Sequence, residues 1–257
     1  MAARRRASLT HALPHDMAVE IAGHVAATSP RPVDDLCSLR ATCRAIRAAC
    51  GDRAVGRRVA LEREGAMRWS DNERYLAVVG GLSGAGNPEA CFLSGLTLVF
   101  THRCARPGSD LLARAAVAGH KVAAYVLALV RYRADGGASD VAKQHIRQVE
   151  GEPAADVVIG GCKTTPKQRS NKECVRCRTQ AVEAVRQATW KMAELPAPTV
   201  AAAESPEDDG KRCTVSGCGV PEAWCDWAAF CSEDCRIRHE CTRFFSQLPL
   251  TIANFVT

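Results

Sequence analysis

Cys213, Cys218, Cys231 and Cys235 are the residues of this 257-residue chain whose types and spacing point most directly to chemistry. Cys213-x4-Cys218 runs into Gly219, which suits a tight backbone knuckle around a metal. Cys231-x3-Cys235 places two thiols one helical turn apart, where FCSEDC opens a helix. Structural zinc takes four soft or borderline ligands in a tetrahedron, drawn as two close pairs from separate segments. These four cysteines are therefore expected to hold one zinc ion. His239 lies about 12 Å along the helix axis from Cys231 at ~1.5 Å per residue, too far to share it. His239 and Cys241, with Cys225 as the nearest remaining thiol, form an incomplete second metal set, for which Cys174-x2-Cys177 is a remote source of further ligands.

Two other readings of the cluster stay open: reduced or redox-active thiols without metal, and a catalytic cysteine paired with His239. A nucleophilic cysteine needs a base and a third, orienting group on a rigid scaffold, and a catalytic zinc needs an open position. The segment PEAWCDWAAF argues for neither, and Trp224, Trp227 and Phe230 are expected to form a small core under the metal. The chain has 14 cysteines; in a secreted protein they would suggest disulfides, but in a reducing compartment closely spaced thiols serve metals. Cys37, Cys43, Cys50, Cys91 and Cys104 are scattered in apolar surroundings and are expected to be small core residues.

With 47% apolar side chains the chain can form one sizeable domain or two or three small ones. MAARRRASLTHALPHD lacks the apolar run of a secretory signal, and no stretch approaches the roughly 20 apolar residues of a membrane helix. An intracellular, soluble protein of nucleus or cytoplasm is expected, with no membrane partner. A net charge of +6 with 5% aromatic residues is too weak a signature for nucleic-acid binding; the clusters Arg4 to Arg6 and Lys163 to Arg178 read as solvated segments, with nuclear import as the alternative.

The elements that must position the cysteines are mainly α. Leu13, Met17, Ile21 and Val25 form one apolar stripe, with Pro14 suited to a first helical turn. After Thr28-Ser29-Pro30-Arg31-Pro32 the helical spacing resumes, with Asp34 as the expected N-cap, through Leu36, Leu39, Cys43 and Ile46 to a stop at Gly51. Such short helices bury little by themselves, so part of the stripe should face another chain or the next domain. Val55 to Leu61 and Glu73 to Val79 read as helices, followed by a glycine-rich turn, GGLSGAGNPE. A hairpin of Leu111 to Arg133 with Ser139 to Val149 comes next, its small residues Ala115, Ala116, Gly119, Ala123 and Ala124 at close crossings and His120 packing or capping. Glu173 to Glu194 is a further helix, whereas Gly151 to Asn171 and LPAPTVAAAESPEDDGK read as linkers.

Three resemblances follow from these residues. Leu13-Pro14, Asp16, Glu20-Ile21, Asp35-Leu36, Leu39-Arg40, Thr42-Cys43-Arg44 and Ile46-Arg47 resemble the F-box pattern over roughly 40 residues, with an insert at Ala27 to Pro32. The segment from Leu111 is similar to a Sel-type or tetratricopeptide-like hairpin. Phe230-Cys231-Ser232-Glu233-Asp234-Cys235, His239 and Cys241 resemble the closing half of a MYND-type zinc finger, with its second cysteine pair reduced to Cys225 and its last two ligands spaced too closely. A plant-type F-box protein combining these parts is the implied whole.

The resulting organisation is an F-box three-helix module (9–52), a helical-hairpin stack (53–150), a linker (151–172), a helix (173–194), a disordered linker (195–211), a partial MYND-like zinc module (212–245) and a tail (246–257). The resemblance implies a non-catalytic substrate-recognition adaptor of an SCF-type ubiquitin ligase. Leu13, Pro14, Ile21, Leu36 and Leu39 would engage a Skp-type adaptor, and the helical or zinc module would take an unknown target protein. The alternatives are a zinc-containing interaction scaffold outside any ubiquitin ligase, and an enzyme using Cys231 or Cys235 with His239.

Overall fold

A computed structural model describes residues 13–137, 139–152, 169–189, 213–221 and 225–248. Most of the two linkers, the end of the 173–194 helix, most of the tail and Trp224 lie outside the described residues. The architecture is mainly α, and the chain forms two compact units, residues 1–94 and 95–257. No described helix is long and apolar enough to cross a membrane.

In the first unit α1 (His15–Thr28), α2 (Pro32–Thr42) and α3 (Arg44–Cys50) pack as a three-helix group. The buried face of α1 is its small one, Ala18, Ala22, Gly23 and Ala26, while Met17 and Ile21 stand 55% and 47% exposed. Alanine lets the neighbouring backbones approach, so Met17 and Ile21 of the stripe turn outward, while Leu13 and Val25 are half-buried. Helix α2 starts at Pro32, two residues before the expected cap Asp34. Proline suits this first position, and the Val33 amide donates to Glu64 Oε1 at 2.9 Å from a distant turn. The spacing through Cys43 is broken, because Cys43 is extended (φ −160°) and its thiol caps α3 by accepting from the Ile46 amide.

Helix α4 (Arg53–Arg58), a 3₁₀ turn (Leu61–Glu64), α5 (Gly65–Ser70), α6 (Asn72–Ala85) and α7 (Pro88–Leu96) follow. Most of the glycine-rich stretch expected as a turn is helical: Gly80, Gly81 and Gly84 lie inside α6, and the chain turns only at Gly86. The weak C-terminal turn of α6 is held from outside, Arg53 donating to Gly84 O and Arg57 to Ala85 O. Asn87, 1% exposed, fixes the next corner: its Nδ2 donates to Val59 O at 2.8 Å and Gly56 O at 3.1 Å, and its Oδ1 accepts from the Ala90 amide at 3.0 Å. Among the cysteines expected in the core, Cys91 is buried, Cys43 and Cys50 are half-buried, and Cys37 and Cys104 are exposed.

In the second unit a π-helical turn (Thr97–Thr101) leads to α8 (Ala105–Val117), α9 (Lys121–Ala134), α10 (Asp140–Glu150), α11 (Lys172–Thr189) and α12 (Glu233–Gln247). The 111–133 stretch is thus two helices. Gly119 takes the left-handed conformation (φ 92°) that ends α8, and His120 caps α9 by accepting from the Ala123 amide at 3.0 Å. Helix α9 is the centre, with Val122 to Val130 buried throughout and α8, α10, α11 and α12 packed around it. Each fully buried leucine there, Leu127 and Leu129, is worth about 1.5–3 kcal/mol. A two-residue antiparallel pair joins β1 (Arg169–Ser170) to β2 (Ala229–Phe230), Arg169 opposite Phe230.

Replacing Asn87 by alanine leaves buried carbonyls without their donor and α7 without its cap. The expected loss is about 2–3 kcal/mol, read as a lower urea midpoint for the full chain; an unchanged midpoint would show that Asn87 does not fix this corner.

Candidate metal centre

The first cysteine pair sits on a turn, the second at the start of a helix. Residues 213–221 fold back so that the Gly219 amide donates to Ala229 O at 2.8 Å on β2. Gly219 is left-handed (φ 74°), and a Cβ there would meet the Phe230 ring at 3.2 Å, so both conformation and space call for glycine. Amides point at the sulfurs: Val215 N donates to Cys213 Sγ and Cys231 N to Cys218 Sγ, each at 3.4 Å. Ser232 caps α12 by accepting from the Cys235 amide at 3.2 Å. Cys231 therefore precedes the helix, and the turn at Ser232, not a helical face, brings the second pair together.

All four Sγ atoms lie within 4.8 Å of one another. Cys231 Sγ is 3.3 Å from Cys213 Sγ, 3.5 Å from Cys218 Sγ and 3.6 Å from Cys235 Sγ. Metal–sulfur bonds of about 2.3 Å in a tetrahedron require sulfur–sulfur edges of roughly 3.8 Å, so the set can hold a metal ion. The electrostatics agree. The Cys213 thiol is drawn down to about 7, first by the Val215 amide and then by Cys231. Burial raises Cys218 and Cys235, and the neighbouring Cys213 and Cys218 thiols raise Cys231. Four sulfurs this close cannot all ionise unaided, and a bound cation removes that conflict.

Cys225, His239 and Cys241 are not brought together among the described residues. The His239 ring packs on Phe230 with centroids 5.0 Å apart, and burial lowers its pKa. Two residues along a helix turn roughly 200°, so Cys241 leaves the opposite side of α12 from His239, and burial pushes its thiol up to about 11. Cys174 and Cys177 are buried on α11, 0% and 4% exposed, and are not members of the four-cysteine cluster; burial pushes Cys177 up to about 12. Phe230 is buried and Trp227 half-buried.

Of the residues assigned to an adaptor interface, Pro14 and Ile21 are exposed and Leu13 and Leu39 half-buried. Leu36 belongs to the core of its unit with Ala22, Ala26, Val55 and Val59, where it holds α2 in place.

What the spacing of the cysteines did not reveal is how α12 is seated. Arg236, 0% exposed, donates from Nη1 to Glu152 Oε1 and Ser170 O, both at 2.7 Å, and from Nη2 to Glu233 Oε2 at 2.7 Å. Burial opposes its charge, yet the Glu152 and Glu233 carboxylates hold it above the usual arginine range. One turn on, Glu240, also 0% exposed, accepts from Tyr125 Oη at 2.9 Å, Asn171 Nδ2 at 2.6 Å and Arg178 Nη1 at 2.7 Å. Phe244 then meets Tyr125 and Phe100 edge to face. The sequence RIRHECTRFF carries one signal of it, that the charged Arg236 and Glu240 fall on one helical face with the apolar Ile237 and Phe244, and it names none of their partners.

A family model described as plant tetratrico peptide repeats matches residues 83–186, from the end of α6 into α11. No curated protein and no solved structure matches the chain. Helical repeats present extended surfaces to other proteins, so this region points to protein–protein interaction.

One metal ion per chain is expected from elemental analysis of the purified protein. Cys231→Ser should abolish it, whereas Cys225→Ser and Cys241→Ser should each retain it; two ions per chain, or loss in either of the latter variants, would contradict the single four-cysteine centre.

Proposed function

We propose that this chain is a non-catalytic substrate-recognition adaptor of an SCF-type ubiquitin ligase, which binds a Skp-type adaptor through α1 to α3 and a target protein through the helical repeat or the cysteine module. The observation that carries the reading is the inverted face of α1: its alanines are buried while Met17 and Ile21 are exposed, next to exposed Pro14 and half-buried Leu13. Large apolar side chains left outside a three-helix group are the kind of surface a partner covers. The order Leu13-Pro14, Ile21, Leu39-Arg40 and Cys43-Arg44 supports an F-box as the form of that group.

In this reading the ion is zinc, because a set of four thiolates with no open position suits a structural zinc site. The thiols must be reduced to bind it, which fits an intracellular protein of nucleus or cytoplasm. The finger is a MYND-like half with one site. The chain would then act by proximity: holding a target lysine near a charged ubiquitin-conjugating enzyme raises its effective concentration, with no bond made or broken by the adaptor's own side chains. The match over residues 83–186 favours a second reading, a zinc-containing interaction scaffold that works outside any ubiquitin ligase.

The two are separated by co-purifying the full chain with a plant Skp-type adaptor. The ligase reading expects a stable complex that Ile21→Asp weakens at least tenfold, about 1.4 kcal/mol or more, with helical content and metal content unchanged. A folded, metal-loaded chain that binds no Skp-type adaptor would leave the scaffold reading.

A further inference from the structure

The four thiols fix only one end of α12. Cys235 is in its first turn, and Cys231 lies just before it. The rest of the helix is held by groups that touch no metal. Arg236 is clasped by Glu152, Glu233 and Ser170 O, and Glu240 by Tyr125, Asn171 and Arg178. Around this pair Lys143 reaches Asp234 at 2.7 Å, and the Glu150 carboxylate caps α11 by accepting from the Cys174 amide at 2.8 Å.

The same elements serve the cysteine turn. Asn171, which donates to Glu240, also accepts from the Ala228 amide at 2.7 Å, and Ser170 belongs to β1, paired with β2 directly before Cys231. Metal ligands, strand pair and buried charges thus form one contiguous piece. A partly withdrawn α12 would leave Arg236 or Glu240 buried without partners, a state far less stable than either full seating or full release. Short cysteine-bearing turns such as 213–221 have little apolar core with which to hold themselves, and in such modules metal binding supplies folding free energy.

Building on the assignment of the four cysteines as a metal centre, we propose that metal loading controls the helical repeat: the ion seats α12, and seated α12 orders α11 against α9. The interaction surface of the second unit is then metal-dependent although the ion touches none of it. Linkage requires the converse, that the buried charges on α12 set the affinity of the thiols for metal.

The test uses the full chain, with zinc content measured on every sample. In the loaded protein N-ethylmaleimide should modify the exposed Cys37 and Cys104 and spare Cys174 and Cys177 together with the four ligands. After a strong zinc chelator, Cys174 and Cys177 should react along with the ligands. If the ligands react while Cys174 and Cys177 stay protected, the turn melts alone and the proposal fails. A second arm needs no unfolding. Glu240→Gln keeps the shape but removes a charge five residues from the nearest ligand, and should weaken zinc binding about tenfold, within the usual range of coupling between sites, at unchanged stoichiometry. Competition with a chromophoric chelator reads this directly, and an unchanged affinity overturns the coupling. A chain that takes up no zinc at all overturns the metal centre itself, and the elemental analysis distinguishes that outcome from a loaded site without coupling.

Discussion

The second unit depends on two charges that water cannot reach. Arg236 and Glu240 sit one turn apart on α12, both 0% exposed; Glu240 is held by groups from other segments, and Arg236 by Glu152 and Ser170 O from other segments together with Glu233 of its own helix. Removing one partner of a buried ion pair costs about 3–5 kcal/mol, because the other charge is left uncompensated. The arrangement is therefore a poor source of raw stability and a strict selector of position. It admits one depth and one rotation of α12 in the groove of α9, α10 and α11, and so fixes where the cysteine turn lies.

The first unit solves a different problem. Its short helices can bury little, and α1 spends its small residues on packing, so that Ala22 and Ala26 join Leu36, Val55 and Val59 in the core. The ends of the helices are tied by polar groups from a distance: Glu64 serves α2, Arg53 and Arg57 serve α6, and Asn87 joins the end of α4 to the start of α7. Met17 and Ile21 remain outside that core, both exposed.

What could be read from the sequence was local. The spacing of Cys213, Cys218, Cys231 and Cys235 carries its meaning within short segments, and Gly219 and Ser232 reinforce it. The helical character of 111–149 was legible for the same reason, although Gly119 divides it where alanine-rich periodicity runs on unbroken. The docking of α12 was not legible, since Glu240 meets Arg178 across 62 residues and Arg236 meets Glu152 across 84. Those partners are ordinary charged residues in sequence, and only the fold brings them against α12. Gly80, Gly81 and Gly84 misled in the opposite direction: glycine favours a turn, but two arginines from α4 hold the end of that helix closed. His239 and Cys241 looked like ligands by type, and the rotation of the helix sends them to opposite sides.

That the cysteine module is built into the helical repeat, rather than tethered beside it, is tested most directly by native-state hydrogen exchange of the full, metal-loaded chain in increasing denaturant. The amides of α9, α11 and α12 should share high protection and lose it together, as one cooperative unit. Rapid exchange throughout α12 while α9 and α11 remain protected would contradict the account, and would mean that the buried charges of Arg236 and Glu240 do not join the two.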